Sequence, residues 1–437
     1  MAGSRPRHAA RVALRSAQFA AAGVEASGVL LLHGLRAGRD RDGWLAAFGR
    51  ALERLCTRLG ATFIKVGQIA STRGDLLPPP LLRELARLRD EVPPFPFADV
   101  RRTVEADFGA PLERLFASFD PIPVAAASVA QVHRAALPDG TPVAVKVRRP
   151  DIARKVALDR SILLAGGRFL ERVVPSLRLV ALEGALREFC AAVEEQLALR
   201  IEADNNRRFT ENFADDPDVH FPTLVPALCS NAVLTMEFVD GVHERDLECS
   251  AVDVHAVVRA GMRCVCRMIF LHGFVHADLH PGNMRFVPPG RVVLFDLGLV
   301  GRLDDEQRLV TAQMLYAFAT GDGRTVARIL FEGSPHTATP DYATYEAEMA
   351  AFVGGLQQRG LGNLQLALEI GRMFDILRRH HIQSRSHMTM VNLALMTAEG
   401  LGKRLAPELS LTDEALPWLA EALGQAAGGA APGRARG

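Results

Sequence analysis

Two short acidic motifs on either side of one strand constrain this chain more than any other feature. The first is His276-Ala277-Asp278-Leu279-His280-Pro281-Gly282-Asn283, with Asn283 five residues after Asp278. The second is Asp296-Leu297-Gly298, thirteen residues after Asn283 and beyond an apolar stretch that predicts a strand at 291–295. Phosphoryl transfer needs one carboxylate to orient or deprotonate the acceptor. It also needs an amide oxygen and a second carboxylate to hold Mg²⁺ on the phosphates. Asp278, Asn283 and Asp296 supply those groups, in that order, on a loop–strand–loop. Either motif alone is weak, since an isolated Asp-Leu-Gly is usually a turn. Together they call for a fold that sets a catalytic loop beside a metal loop and provides a separate platform for the nucleotide.

That platform is predicted upstream. Val143-Ala144-Val145-Lys146-Val147 alternates as a strand bounded by Asp139-Gly140 and Pro150. A lysine there packs its stem on the sheet and extends its ammonium to α/β-phosphates. The bland alternative is a strand-edge lysine that discourages aggregation. Residues 232–239 read as a second strand, and Met236 to Phe238 take the place of a hinge that binds adenine through backbone groups, with Glu237 and Phe238 as the contacts. Helical spacing fills 44–73 (Leu45, Phe48, Leu52, Leu55, Leu59), 81–90, 156–209, 251–272 and the stretch to about 424. The order predicts an α+β, bilobal protein-kinase-like fold. Its small mixed N-lobe spans 120–240 and its helical C-lobe 241–424, preceded by a helical extension at 44–119. Residues 1–43 are expected to be a basic segment, partly disordered or on a membrane surface, and 425–437 a disordered tail.

Composition mainly excludes. With 51 basic against 50 acidic residues, the net charge of +1 gives nucleic acid no electrostatic footprint. The six cysteines contain no C-x-x-C pair and predict buried free thiols in a reducing compartment rather than a metal cage. Residues 17–35 are apolar but interrupted by Gln18, Glu25 and His33, so no transmembrane span is predicted. The expected location is cytoplasmic, peripheral at most at a membrane surface. Residues 1–24 lack acids but carry Arg5, Arg7, Arg11 and Arg15, a pattern shared by targeting segments, surface helices and frayed termini.

Over roughly residues 50–410 the chain resembles the UbiB/AarF family of atypical kinases. Lys65-Val66-Gly67-Gln68 matches the family's K-x-G-Q signature, and the run from Ala125 to His133 is similar to the Ala-rich loop that replaces a Gly-rich loop. Lys146 is followed by Arg149-Pro150, and the runs at 276–283 and 296–298 match the catalytic and metal motifs. Glu399 to Leu405 also looks familial. The resemblance implies that ATP and Mg²⁺ are the cofactors, with Asn283 and Asp296 on the metal, Asp278 on the acceptor and Lys146 on the phosphates. It implies that Ala125, Ala126, Ala127, Ser128 and Gln131 cover the nucleotide, and that Lys65 and Gln68 gate the site. Alanine restricts φ where glycine would not, so such a loop is stiffer. One departure stands out: the family's E-x-D pattern falls on Gln196-Leu197-Ala198, so Glu194, Glu195 and Glu202 all remain candidates to pair with Lys146.

The resemblance therefore implies an ATPase or small-molecule kinase supporting isoprenoid-quinone or related lipid biosynthesis. Its partners would be ATP, a lipid or quinone-precursor-like molecule, a membrane surface and proteins of a biosynthetic complex. The alternative is a catalytically weak nucleotide-binding scaffold. A protein kinase acting in trans is disfavoured, because Leu297-Gly298-Leu299 leads straight into Val300-Gly301-Arg302 with no long activation segment.

Overall fold

The computed structural model describes residues 4–60, 63–64, 67, 70, 78–88, 93–127, 129–173, 187, 190, 194, 197–336, 339, 341–359, 366–383 and 385–429. They form two compact units: Met1–Asp204 with Thr223–Phe238, and Asn205–Pro222 with Val239–Gly437.

The first unit opens with a helical hairpin, α1 (Ser4–Ala37) and α2 (Arg41–Leu59). The Asp40 carboxylate caps α2 by accepting from Asp42 N and Gly43 N. Within residues 1–43, expected to be partly disordered or on a membrane surface, residues 4–37 are helical, held by packing. Arg15 donates to both oxygens of the buried Asp159 and to the Leu59 carbonyl, and Phe19 meets Phe63 edge-on at 5.3 Å. Helices α3 (Pro79–Leu85), α4 (Phe97–Phe108) and α5 (Leu112–Leu115) lead into a sheet. Its strands are β1 (Ser118–Phe119), β2 (Ala125–Ala126), β3 (Ala130–Ala136), β4 (Pro142–Arg148) and β6 (Val233–Glu237), in the order β1-β3-β4-β6 with β2 on β3. The two faces follow the strand period of two. Val143, Val145, Val147 and Val233 pack with Phe95, Val100 and Val104, while Ala144, Leu234 and Met236 pack with Leu199 and Ala203. Helix α6 (Ile152–Val173) follows β4.

Helix α7 (Leu199–Asn212) contains the division between the units. Residues 205–222, predicted with the N-lobe, belong to the second unit because Phe209, Phe213 and Phe221 enter its core. Asp216 accepts from both Arg263 and Arg267. That core surrounds α8 (Val254–Phe270), whose N-cap is Asp253, together with α13 (Ser386–Leu405) and α14 (Leu411–Gly429). Strand β5 (Val219–His220) pairs with β9 (Arg291–Leu294), which pairs with β8 (Met284–Val287); β7 (Phe274–His276) pairs with β10 (Val300–Arg302). A second core joins α9 (Asp305–Thr320), α10 (Gly323–Glu332), α11 (Tyr342–Arg359) and α12 (Leu366–Arg379). Met314 and Leu330 are buried in it.

Gly261, inside α8, has no heavy atom within 4 Å of the place a Cβ would take. Gly261→Ala is therefore expected to stabilise the protein by about 0.5–1 kcal/mol, because alanine loses less backbone entropy on entering a helix. The check is a higher urea midpoint at an unchanged slope.

Candidate active site

In the first unit, Lys146 sits on β4 opposite Val132 and Leu234, on the sheet face that packs on α7. Its ammonium donates to both carboxylate oxygens of Glu202, at 2.9 and 2.8 Å. The pair is 14% and 7% exposed, so little water screens it. Of the three candidate glutamates, Glu202 is thus the partner seen. Glu194 lies 3.4 Å from Arg160, and Glu195 lies outside the described residues. At the departing segment, Leu197 is buried and its carbonyl accepts from Arg148 at 3.0 Å.

The Ala-rich loop is a hairpin tip. Ala125 and Ala126 pair with Val132 and Gln131, and Ala127 N donates to Ala130 O. Arg149, next after the lysine strand, donates to the carbonyls of Ala127 and Pro93. Its stiffness therefore has a second cause besides alanine, a guanidinium clamp. Ser128 lies outside the described residues. Gln131 corrects an expectation: its side chain is buried, accepts from Phe95 N, and donates to Phe95 O and to His133 Nε2. His133 Nδ1–H in turn donates to Asp120 O. That amide is committed to the interior of the unit rather than to a nucleotide. At the expected hinge, Glu237 N donates to Thr223 O and Phe238 N to Pro142 O. The Phe238 ring lies under the Arg134 guanidinium at 4.5 Å.

Lys65 and Gln68 lie outside the described residues. Gly67 between them is described, and a Cβ there would sit 2.1 Å from Leu88 Cδ1. A side chain at that position would oblige the end of Leu88 to move aside.

In the second unit, His276 anchors the acidic residues. It is fully buried, donates from Nε2 to Phe295 O at 3.1 Å, and accepts Asp278 N on Nδ1 at 3.1 Å. This bonding assigns the neutral Nε2–H tautomer, and burial lowers its pKa to the same effect. Asn283 Nδ2 donates to the Asp278 carbonyl at 3.1 Å, and Asn283 O accepts Phe295 N at 2.9 Å. The residues on either side of the strand are thereby tied to one another. Asp296 has φ +52°, a left-handed conformation uncommon for a side-chain-bearing residue and concentrated at functional sites. Leu297 O, one residue on, accepts Asn205 Nδ2 at 2.8 Å in a buried contact. Asn205 was not singled out for this role from sequence. The signal available was its place in Glu202-Ala203-Asp204-Asn205, three residues after the lysine's partner. After Asp296 the chain passes through β10 and enters α9 at Asp305, leaving no long activation segment.

These groups can be tested for Mg²⁺. With Nδ2 spent on Asp278, the Asn283 amide keeps its oxygen as acceptor, and Asp296 adds a carboxylate. An all-oxygen pair suits a hard cation that draws its remaining ligands from phosphates and water. Among the described residues there is no cluster of three His, Cys, Asp or Glu side chains, so a zinc-type cage is not formed there.

Burial also makes the histidines acid-sensitive. Desolvation lowers the pKa values of His133, His276 and His272, the last to about 4. Depressed folded-state values mean that the unfolded chain binds these protons first. The stability is fully present above about pH 6.5 and is lost as pH falls toward 4. The urea midpoint is accordingly expected to be lower at pH 5 than at pH 7.5, and an unchanged midpoint would contradict the burial of these rings.

The chain matches the family model of the ABC1 atypical kinase-like domain over residues 87–330 and that of the UbiB helical domain over 349–410. It is 32% identical over 388 residues to the probable protein kinase UbiB of Shewanella pealeana, covering 86% of this chain and 71% of that one. To the probable protein kinase UbiB of Pseudomonas aeruginosa it is 33% identical over 378 residues, covering 85% and 71%. Among solved structures, the Rv3197–erythromycin complex from Mycobacterium tuberculosis is similar in fold. Its TM-score is 0.51 at 21% identity, over 78% of this chain and 91% of that one.

Proposed function

The chain belongs to the UbiB family of ABC1 atypical kinase-like proteins and has their bilobal α+β fold, and from that premise we propose that it is a Mg-ATP-dependent ATPase or small-molecule kinase. The observation that carries this reading is the two-pronged Lys146–Glu202 ion pair. A kinase lysine needs a helix carboxylate to hold it for the phosphates, and Glu202 supplies one although Gln196-Leu197-Ala198 lacks the E-x-D pattern. Lys146 would hold the α/β-phosphates. Asn283 and Asp296 would hold Mg²⁺, which when bound neutralises charge developing on the phosphates. Asp278, fixed through its backbone by His276 and Asn283, would orient water or a hydroxyl. The Ala125–Ala127 tip, clamped by Arg149, would cover the nucleotide, and Lys65 and Gln68 would gate the site. By family, the acceptor class is an isoprenoid-quinone precursor or related lipid met at a membrane surface. No helix among the described residues is long and apolar enough to cross a membrane.

The test is Mg²⁺-dependent phosphate release from ATP by the full chain, with and without lipid vesicles plus a phenolic quinone-precursor mimic. Turnover that needs Mg²⁺ and rises with lipid and phenol is expected. Nucleotide binding in a thermal-shift assay with no release under any condition would replace the enzyme by the scaffold.

A further inference from the structure

The outward face of α1 carries no charge over about six turns. Between Ala13 and Leu35 the only ionisable side chains are Arg15, Glu25 and His33. Arg15 turns inward to Asp159, and Glu25 turns to Arg54 and Arg58 of α2. The outward face includes a regular seam, Leu14, Ala17, Ala21, Val24, Gly28, Leu31 and Leu35, all exposed, with Leu32 exposed beside its C-terminal end. Leu14, Val24, Leu31 and Leu35 are 65%, 75%, 60% and 75% exposed. The steps between seam residues are 3, 4, 3, 4, 3 and 4, the heptad spacing that keeps one side of a helix against a partner helix. α1 already uses its opposite face on α2, so this seam is not the one that folds the hairpin. An uncharged apolar strip of this length on a soluble surface marks an interaction site.

The order of side-chain sizes identifies the partner. Reversed about Val24, the seam is complementary to itself: Leu14 meets Leu35, Ala17 meets Leu31, Ala21 meets Gly28, and Val24 meets Val24. Large residues close the two ends, and Ala17 opposite Leu31 joins small to large. Ala21 and Gly28 let the backbones approach near the centre. A lipid surface would instead favour bulky side chains along the whole strip. We propose that a second copy of this chain covers this face, through an antiparallel pairing of the two α1 helices about a two-fold axis at Val24. Such a contact is isologous and closes as a dimer. It spans roughly 33 Å of helix, which puts it at the small end of specific interfaces, so the dimer is reversible.

Sedimentation velocity of the full chain over a wide concentration range tests this. A concentration-dependent monomer–dimer equilibrium is expected. Val24→Glu and Val24→Lys should each be monomeric, with unchanged melting transitions because residue 24 is exposed in the hairpin. Mixing the two should restore a dimer of one copy each, since the axis brings position 24 onto itself. With the exposed Cys249 replaced by serine, Val24→Cys should cross-link to itself under a mild oxidant and Leu14→Cys should not. A monomer at every concentration would overturn the proposal. So would self-cross-linking at Leu14, which would mean parallel helices, or a monomer that binds anionic phospholipid vesicles through this face.

Discussion

Asp296→Asn is expected to lower Mg²⁺-dependent phosphate release from ATP by at least about 100-fold, the scale on which one electrostatic group acts on a transition state. The substitution is chosen for its backbone. Asp296 lies at φ +52°, and asparagine tolerates the left-handed region nearly as well as aspartate, whereas alanine would add strain. Loss of the carboxylate is therefore separated from loss of the loop. The Leu297 carbonyl should still accept Asn205 Nδ2, and the melting transition without nucleotide should stay where it was. Turnover retained in this variant would remove Asp296 from the metal site and assign the measured hydrolysis elsewhere.

The largest stability effect is expected at the lysine pair. Glu202→Ala removes the carboxylate that accepts two hydrogen bonds from the mostly buried Lys146 ammonium and should cost about 3–5 kcal/mol. Removing both charges together, as Lys146→Met with Glu202→Leu, places apolar side chains beside Ala144, Leu199 and Leu234. That double variant should recover most of the loss, because a buried ion pair gains little over apolar residues of similar volume. It should nevertheless release no phosphate, since no lysine remains for the nucleotide. Urea unfolding of the two single variants and the double variant gives the coupling energy directly. A double variant as unstable as Glu202→Ala would mean that the pair is held by more than its charges, and phosphate release by it would take Lys146 out of the reaction.

The two acidic motifs proposed to serve catalysis and metal binding are legible in sequence because their spacing is local. A loop needs Asp278 and Asn283 at a short fixed separation, and the short β8–β9 hairpin carries the chain to Asp296, so spacing alone exposes the set. The lysine strand was legible for the same reason, through alternation between two apolar faces. The lysine's partner was not. Three glutamates lie within nine residues along the chain, and sequence distance does not say which one turns toward a strand some fifty residues upstream. Helical phase decided it: Ala203 and Leu199 face the sheet beside Ala144 and Leu234, and Glu202 lies close enough in phase to reach Lys146.

Gln131 shows the opposite limit. In sequence it ends an Ala-rich run and reads as part of a loop over nucleotide. In the fold, the period-two register of β3 turns it inward to Phe95 and His133. The contacts that hold α1 likewise come from far along the chain, from Asp159 and Phe63, which no local pattern shows. The amino-acid sequence by itself determined the family, the order of the chemical groups and the α+β class, since all three rest on neighbours within a few residues. Tertiary structure alone decided which carboxylate holds Lys146, which polar side chains serve the interior, and which face of α1 is left uncovered. Those outcomes depend on long-range packing, where one residue of register or a quarter-turn of helix reverses what a side chain meets.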